Sequence, residues 1–455
     1  MRQTQRETLQ KIYHAGVAAV APDLLVRETL SLSGNRLSVR GGGKPLEFDL
    51  SQFDRVLVIG GGKATGRMAA ATEAILGDRI SAGVIAVKFP EEGKSLRRVR
   101  VTVGGHPTPD AGSVEAAEAI SELARSADGR TLVLNLVSGG GLALLAGPWR
   151  DETGAETSLA DKRETTRLLL GCGAAIGEIN CVRKHLSGIK GGRLAGLLAP
   201  ATVVSLILSD VVGDRLDVIS SGPTAPDPTT FSDMAEILDR YGIRERVPVS
   251  VRTVLERGLA GEIPETPGPD DPAFQRVHNR LIGTNFRALT AAKERAEELG
   301  FPALALTSRV TGEAREAAKF LWGIAADAAT QGVPLSPPCC ILAGGETAVT
   351  LRGEGKGGRN QETALAFLAE MAGEPEIAER IHFLAGATDG DDGPTDAAGA
   401  FADGAALSRA REEGLSIGDF LNRNDAYPFF QKTGALFKPG PTGTNVCDLM
   451  ILLIG

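Results

Sequence analysis

Aromatic side chains are scarce in this 455-residue chain: Phe, Trp and Tyr together make up 4%. That leaves little material for the stacked platforms on which single-stranded nucleic acids are read. Positive charge is also in deficit, with 49 Lys plus Arg against 57 Asp plus Glu and a net charge of −8. A general nucleic-acid binder needs a basic surface that displaces counterions, so the balance argues against nucleic acid as a partner. Cysteine is limited to five residues, Cys172, Cys181, Cys339, Cys340 and Cys447. They form no CxxC pair and no zinc-like spacing with the five histidines. Nothing in them resembles a disulfide framework, and reduced thiols in a cytoplasmic protein are the expectation. Long apolar runs are missing too. The longest uncharged stretch, between Arg130 and Arg150, is broken by Asn135, Ser138 and successive glycines, so no membrane segment is expected. The polar, charged residues 1–11 are no secretory signal. HExxH does not occur, which removes the common zinc hydrolases.

Glycine, in contrast, is abundant at 57 residues. Without a collagen-like period, such an excess belongs in tight turns and in loops that approach ligands closely. The glycines punctuate a recurring pattern of apolar run, Gly-rich turn and helical stretch. RVLVIG (55–60) runs into Gly61-Gly62-Lys63, LVLNLV (132–137) into Ser138-Gly139-Gly140-Gly141, and TVVSLIL (202–208) into Ser209-Asp210. Runs this apolar, without alternation, predict strands buried on both faces of a parallel sheet. A second α/β set follows, with strands expected at 280–283, 303–308, 340–343, 348–351, 382–385 and 448–454. Helices are expected at 286–299, 312–329 and 361–371. The segment GEIPETPGPDDP (261–272) is the best linker candidate. The reading is therefore an α/β protein of two α/β domains: residues 1–250, a Rossmann-like parallel sheet with helices on both faces, and residues 275–455. Residues 251–274 would be the linker, with the active site in the cleft between the domains.

Ligands in open parallel sheets bind beyond the carboxyl ends of the strands. Gly60, Gly61 and Gly62 with Lys63 would there offer peptide N–H groups and a full charge to an anion. The same residues also suit a plain strand-to-helix turn. Their spacing matches neither Walker A nor GxGxxG, because Thr65 stands where the third glycine belongs. Ser138, Gly139, Gly140 and Gly141 repeat the arrangement without a lysine. Arg183, Lys184, His185, Lys190 and Arg193 make a basic island in an acidic chain. If that run is helical, Arg183 and Lys190 share a face. Asp210 and Asp389 stand at strand ends, where a metal ligand, a base and a helix N-cap are alternatives. The acids around Asp389 lack the Glu of an EF-hand, and Mg²⁺ held by one or two carboxylates plus substrate phosphates fits them better. Arg359 begins a predicted helix, where a guanidinium can meet a transferring phosphoryl group.

Taken together, these segments resemble the glycerate 2-kinase family, the MOFRL-type group related to a tartrate-degradation protein long labelled hydroxypyruvate reductase. The resemblance rests on VIGGGKA (58–64), GHPTPD (105–110), the triplet 139–141, VRKHLSGIKGGRLA (182–195) and LSDVVGD (208–214). It continues through SSGPT (220–224), AGGET (343–347), GGRNQE (357–362), ATDGDDGPTDAAGA (387–400) and TGTNVCDL (442–449). It implies a two-domain kinase moving the γ-phosphoryl of ATP to the 2-hydroxyl of D-glycerate, with Lys63 and Arg359 as catalytic pair. Beside that pair, Asp389 would bind Mg²⁺ or orient the attacking hydroxyl, with Asp210 its competitor. Arg183 and Lys190 would hold the glycerate carboxylate, and Glu346 would join Gly60–Gly62 and Ser138–Gly141 around the nucleotide. A homodimer is a further expectation from the resemblance. Cys447 and Asp391 depart from the family pattern, which usually has Asn and a non-acidic residue there. The rival is an NAD(P)H-dependent hydroxypyruvate reductase, which the missing third glycine weighs against.

Overall fold

The computed structural model describes residues 2–89, 96–150, 154 and 156–455. The chain divides into two compact units, and the division does not follow chain order. One unit holds Pro22–Ser209 and Asp214–Ile282; the other holds Met1–Ala21, Asp210–Gly213 and Gly283–Gly455. The boundary differs from the sequence expectation for a physical reason. Residues 251–274 form no free linker: Val249–Leu259 is a helix that buries Val251, Val254 and Leu255, and Ile263 joins the same apolar cluster. The first helix, Arg2–Ala19, belongs with the C-terminal half, where Tyr13 Oη donates to Ala387 O at 2.6 Å and Arg6 pairs with Asp403.

The larger unit is built on β1 (Arg55–Gly61), β2 (Ala82–Val87), β3 (Val99–Val103), β4 (Thr131–Val137), β5 (Thr202–Leu208) and β6 (Val277–Gly283). Their spatial order is β3-β2-β1-β4-β5-β6, and the first five run parallel. β4 and β5 are buried at every position, as their uncharged, mainly apolar runs predict for a sheet covered on both faces. This is the doubly wound order, whose direction reverses between β1 and β4. Three short antiparallel strands, Leu30–Ser33, Arg36–Val39 and Leu46–Asp49, form a separate sheet.

The other unit carries a mixed six-stranded sheet. Its strands are β7 (Ala303–Val310), β8 (Cys339–Gly345), β9 (Ile381–Ala387), β10 (Gly399–Ala402), β11 (Leu436–Phe437) and β12 (Asp448–Ile454). The order is β7-β8-β12-β9-β10-β11, and β12 runs antiparallel between β8 and β9. The strand expected at 348–351 is absent; Ala348 makes only an isolated bridge to Glu313. No described helix is long and apolar enough to cross a membrane.

Candidate active site

The turn in strand order places two Gly-rich loops side by side. β1 and β4 pair in register through Gly61 and Val137, so Gly62-Lys63 and Ser138–Gly141 leave neighbouring strand ends. Two glycines make that closeness possible. A Cβ on Gly60 would lie 2.0 Å from Leu136 O, and one on Gly62 would lie 2.1 Å from Ser138 Oγ. At φ +155° and +148° both also lie outside the usual range of L side chains.

The peptide groups expected to face an anion face protein acceptors. Gly62 N–H donates to Ala86 O, Lys63 N–H to Gly139 O at 2.8 Å, Ala64 N–H to Ser138 Oγ at 3.0 Å, and Thr65 N–H to Gly62 O. This first loop therefore offers an anion its exposed Lys63 side chain. Gly140, in the left-handed region at φ +81°, leaves room for it: a Cβ there would touch Lys63 Cγ at 3.2 Å and His106 Cδ2 at 3.1 Å. Ser220 closes the cluster by donating from Oγ to Ser138 O at 3.0 Å. Ser220 and Ser221 both have positive φ, 51° and 60°. Backbone strain of this kind costs about 1–3 kcal/mol per residue and gathers at functional sites. Sequence reasoning assigned neither His106 nor Ser220 to the phosphate loops; the Ser-Ser-Gly-Pro turn was the available signal for the latter.

The basic island resolves into different roles. Its helix, Ile176–His185, stops before Lys190, so Arg183 and Lys190 do not share a helical face. Lys184 is locked in a buried pair with Asp227 at 2.6 Å. His185 is a core residue, with Nδ1 on Cys181 O, Nε2 facing Glu265 and its ring against Phe231. Arg183 and Lys190 nonetheless line one cavity of about 530 Å³, joined there by Lys162, which sequence reasoning missed.

In the smaller unit the sheet register assembles a second cluster. Asp448, the first residue of β12, pairs with the last residues of both neighbours, Gly345 of β8 and Ala387 of β9. Glu346 follows the first of these, and Asp389 lies two residues past the second. Arg359 opens the helix Arg359–Gly373 as expected. Its Nε and Nη2 donate to the two carboxylate oxygens of fully buried Asp448 at 2.6 and 2.8 Å, and its Nη1 lies 3.1 Å from Glu346. Burial works against the guanidinium charge, but Asp448 and Glu346 outweigh it and hold the proton more tightly than usual. Burial pushes the Glu346 carboxyl up, with Asp448 and Asp210 adding to the shift and Arg359 opposing it. Cys447 has a left-handed φ of 68°, with Sγ 3.2 Å from Asp210 O and 3.7 Å from Glu346. Burial, then Glu346 and Asp448, raise its thiol, so it acts as a neutral donor.

The acidic loop after β9 splits in function. Buried Asp392 caps the Arg359 helix by accepting from Asn360 N and Gln361 N at 3.1 and 2.9 Å, and burial lifts its pKa to about 6. Asp389 stays half-buried, with Oδ1 accepting from Asp391 N at 3.1 Å. Among the described residues no three His, Cys, Asp or Glu side chains converge as a metal cage.

Comparison with known proteins matches a domain of unknown function, DUF4147, over residues 8–256 and the MOFRL family over residues 339–448. A glycerate 2-kinase of Pyrococcus horikoshii is 42% identical, the match covering 99% of this chain and 97% of that protein. A glycerate kinase of Homo sapiens is 38% identical, covering 98% and 93%. The solved structure of a glycerate kinase from Thermotoga maritima superimposes with a TM-score of 0.84 at 36% identity, covering 100% of both chains.

Proposed function

The chain belongs to the glycerate kinase family, and on that premise we propose that it is a glycerate 2-kinase. It transfers the γ-phosphoryl group of ATP to the 2-hydroxyl of D-glycerate, giving 2-phosphoglycerate and ADP. The observation that carries the reading within the chain is the convergence of Lys63, Gly140 and Ser138 at the reversal point of the parallel sheet. Phosphoryl transfer asks a protein mainly for positioning and for cations held where charge develops. Lys63 is assigned to the phosphoryl group in transfer and Ser138–Gly141 to the nucleotide phosphates. Gly60–Gly62 serve as the platform that brings those loops together. Arg359, already aimed by Asp448, is assigned to neutralising the transferring oxygens without reorganisation. Arg183 and Lys190 are assigned to the acid substrate.

Mg²⁺ fits this donor set because a hard cation takes carboxylate oxygens together with the phosphates of its nucleotide. Asp389 and Asp210 would hold it. When bound, it supplies charge neutralisation on the phosphate oxygens. Lys88, which follows β2 where an NAD enzyme carries an acid for the ribose, disfavours NADH, and the missing third glycine at Thr65 weighs against either dinucleotide.

Phosphorus NMR of the protein with D-glycerate and MgATP tests the assignment, with hydroxypyruvate plus NADH or NADPH in parallel. The expected result is 2-phosphoglycerate and no cofactor oxidation. Appearance of the 3-isomer, or NAD(P)H oxidation alone, overturns it.

A further inference from the structure

The cavity beside Lys190 is lined by five basic side chains, Lys162, Arg163, Arg167, Arg183 and Lys190, and by no acid. In a chain with net charge −8 that is a local inversion of sign. One of the five is neutralised, Arg167 pairing with Glu164 at 2.7 Å, and another, exposed Arg163, donates to the wall carbonyl Pro109 O. The partners of the other three are neutral. Lys162 Nζ donates to Leu186 O at 2.5 Å, Lys190 Nζ to Leu142 O, and Arg183 Nε to Thr166 Oγ1 at 3.3 Å. Leu142, Ala146, Val182 and Leu186 supply apolar wall between them.

Cations withdrawn from water without a counter-ion are costly, and a site relieves that cost by losing a proton or by taking an anion. We propose that Lys162, Arg183 and Lys190 form the carboxylate subsite for the acid substrate, with Lys162 a binding residue for that anion. The inference rests on the reading of the chain as a glycerate kinase and adds a residue and a proton to it. Lys190 links the subsite to the phosphate loops, because it also lines a small void with Gly60, Gly61, Gly141 and Ser220. An acid held there stands one side chain away from the loops assigned to the nucleotide.

The side chains of the subsite show the strain of that environment. Burial, followed by Arg183 and Arg193, brings Lys162 down to about 7, and burial with Lys162 and Arg183 holds Lys190 well below the ordinary range. Arg183 is lowered by burial, yet a guanidinium stays charged. The charged groups that act most on Lys162 are the cations Arg183 and Arg193, with Lys190 beside them; on its own helix Arg163 is exposed, Glu164 is engaged by Arg167, and Asp161 by Ser158. A bound carboxylate therefore restores the Lys162 proton. Above about pH 7 the acid binds together with a proton, and its affinity falls as pH rises.

Isothermal titration of the full chain with D-glycerate alone, at pH 8 in two buffers of different ionisation enthalpy, tests this directly. The wild type is expected to take up a proton on binding. Lys162→Met is expected to weaken glycerate binding about tenfold or more and to reduce the uptake, with ATP affinity unchanged. Lys162→Arg should recover most of the affinity while taking up less proton. Weakened ATP binding with unchanged glycerate binding assigns the cavity to the nucleotide and overturns the proposal. Unchanged binding of both overturns it as well, and if the Met variant fails to fold, absence of proton uptake in the wild type does so alone. A wild type that binds glycerate with uptake but makes no phosphoglycerate refutes the kinase reading and leaves the subsite standing. A wild type that does not bind glycerate refutes both.

Discussion

Arg359 and Asp448 are joined by two parallel hydrogen bonds, one residue opening a helix and the other opening the central strand of the smaller unit's sheet. Both ends of the pair are thus anchored in regular structure, and the guanidinium plane is fixed before any ligand arrives. Bidentate pairs of this kind combine energy with orientation. Asp448→Asn keeps the shape but removes the charge and one acceptor. It is expected to lower kcat about a hundredfold while changing the KM for glycerate little, since orientation of Arg359 is lost rather than substrate contact. Thermal unfolding should show about 2–4 kcal/mol of destabilisation, near the lower end for a broken buried pair because Arg359 keeps some solvent. A variant with wild-type kcat would show that Asp448 is merely structural.

Glu346 sits on the other side of the same guanidinium, and burial raises its pKa. A raised carboxylate takes up its proton at higher pH than an ordinary one. As pH falls it lets go of Arg359 first, so activity should decline on the acid side earlier than a free carboxylate would dictate. Glu346→Gln is expected to move that acid limb to lower pH and to cost less than about tenfold in kcat at neutral pH, since Asp448 still holds the arginine. The pH–rate profile of the two proteins decides; an unshifted limb means another group titrates.

The loop glycines make a stability claim separate from catalysis. Gly62→Ala pushes a methyl into Ser138 at a backbone angle L residues avoid, so about 2–4 kcal/mol of destabilisation is expected. Gly323 lies inside the helix Ala314–Gln331 with open space around it, and Gly323→Ala should stabilise by about 1 kcal/mol. Denaturant titration of both variants checks the contrast, and equal effects would contradict the packing argument.

Strands buried on both faces were legible because no charge interrupts them: 202–208 is observed as Thr202–Leu208 and 448–454 as Asp448–Ile454. The run 348–351 reads equally well as a strand but finds no neighbour to pair with beyond a single bridge. Lys63 and Arg359 were legible because each directly follows a glycine run at an element boundary. Arg183 and Lys190 were paired for the wrong reason. The helix ends at His185, and a turn carrying Gly191 and Gly192 at φ +57° and +80° follows Lys190. Lys162 was hidden in the run Asp161-Lys162-Arg163-Glu164, which looks like any solvated helix face. Asp448 was hidden as one residue of a strand, since only the register shows it meeting two strand ends at once.

Lys63 carries the central claim, and one kinetic comparison tests it most directly. Its side chain is exposed, so Lys63→Ala should fold with an unchanged melting temperature. ADP release coupled to D-glycerate is expected to show kcat reduced about 10²–10³-fold, the usual cost of removing one preorganised group that stabilises transition-state charge. A kcat within about threefold of wild type would contradict the assignment of the sheet's reversal point to phosphoryl transfer.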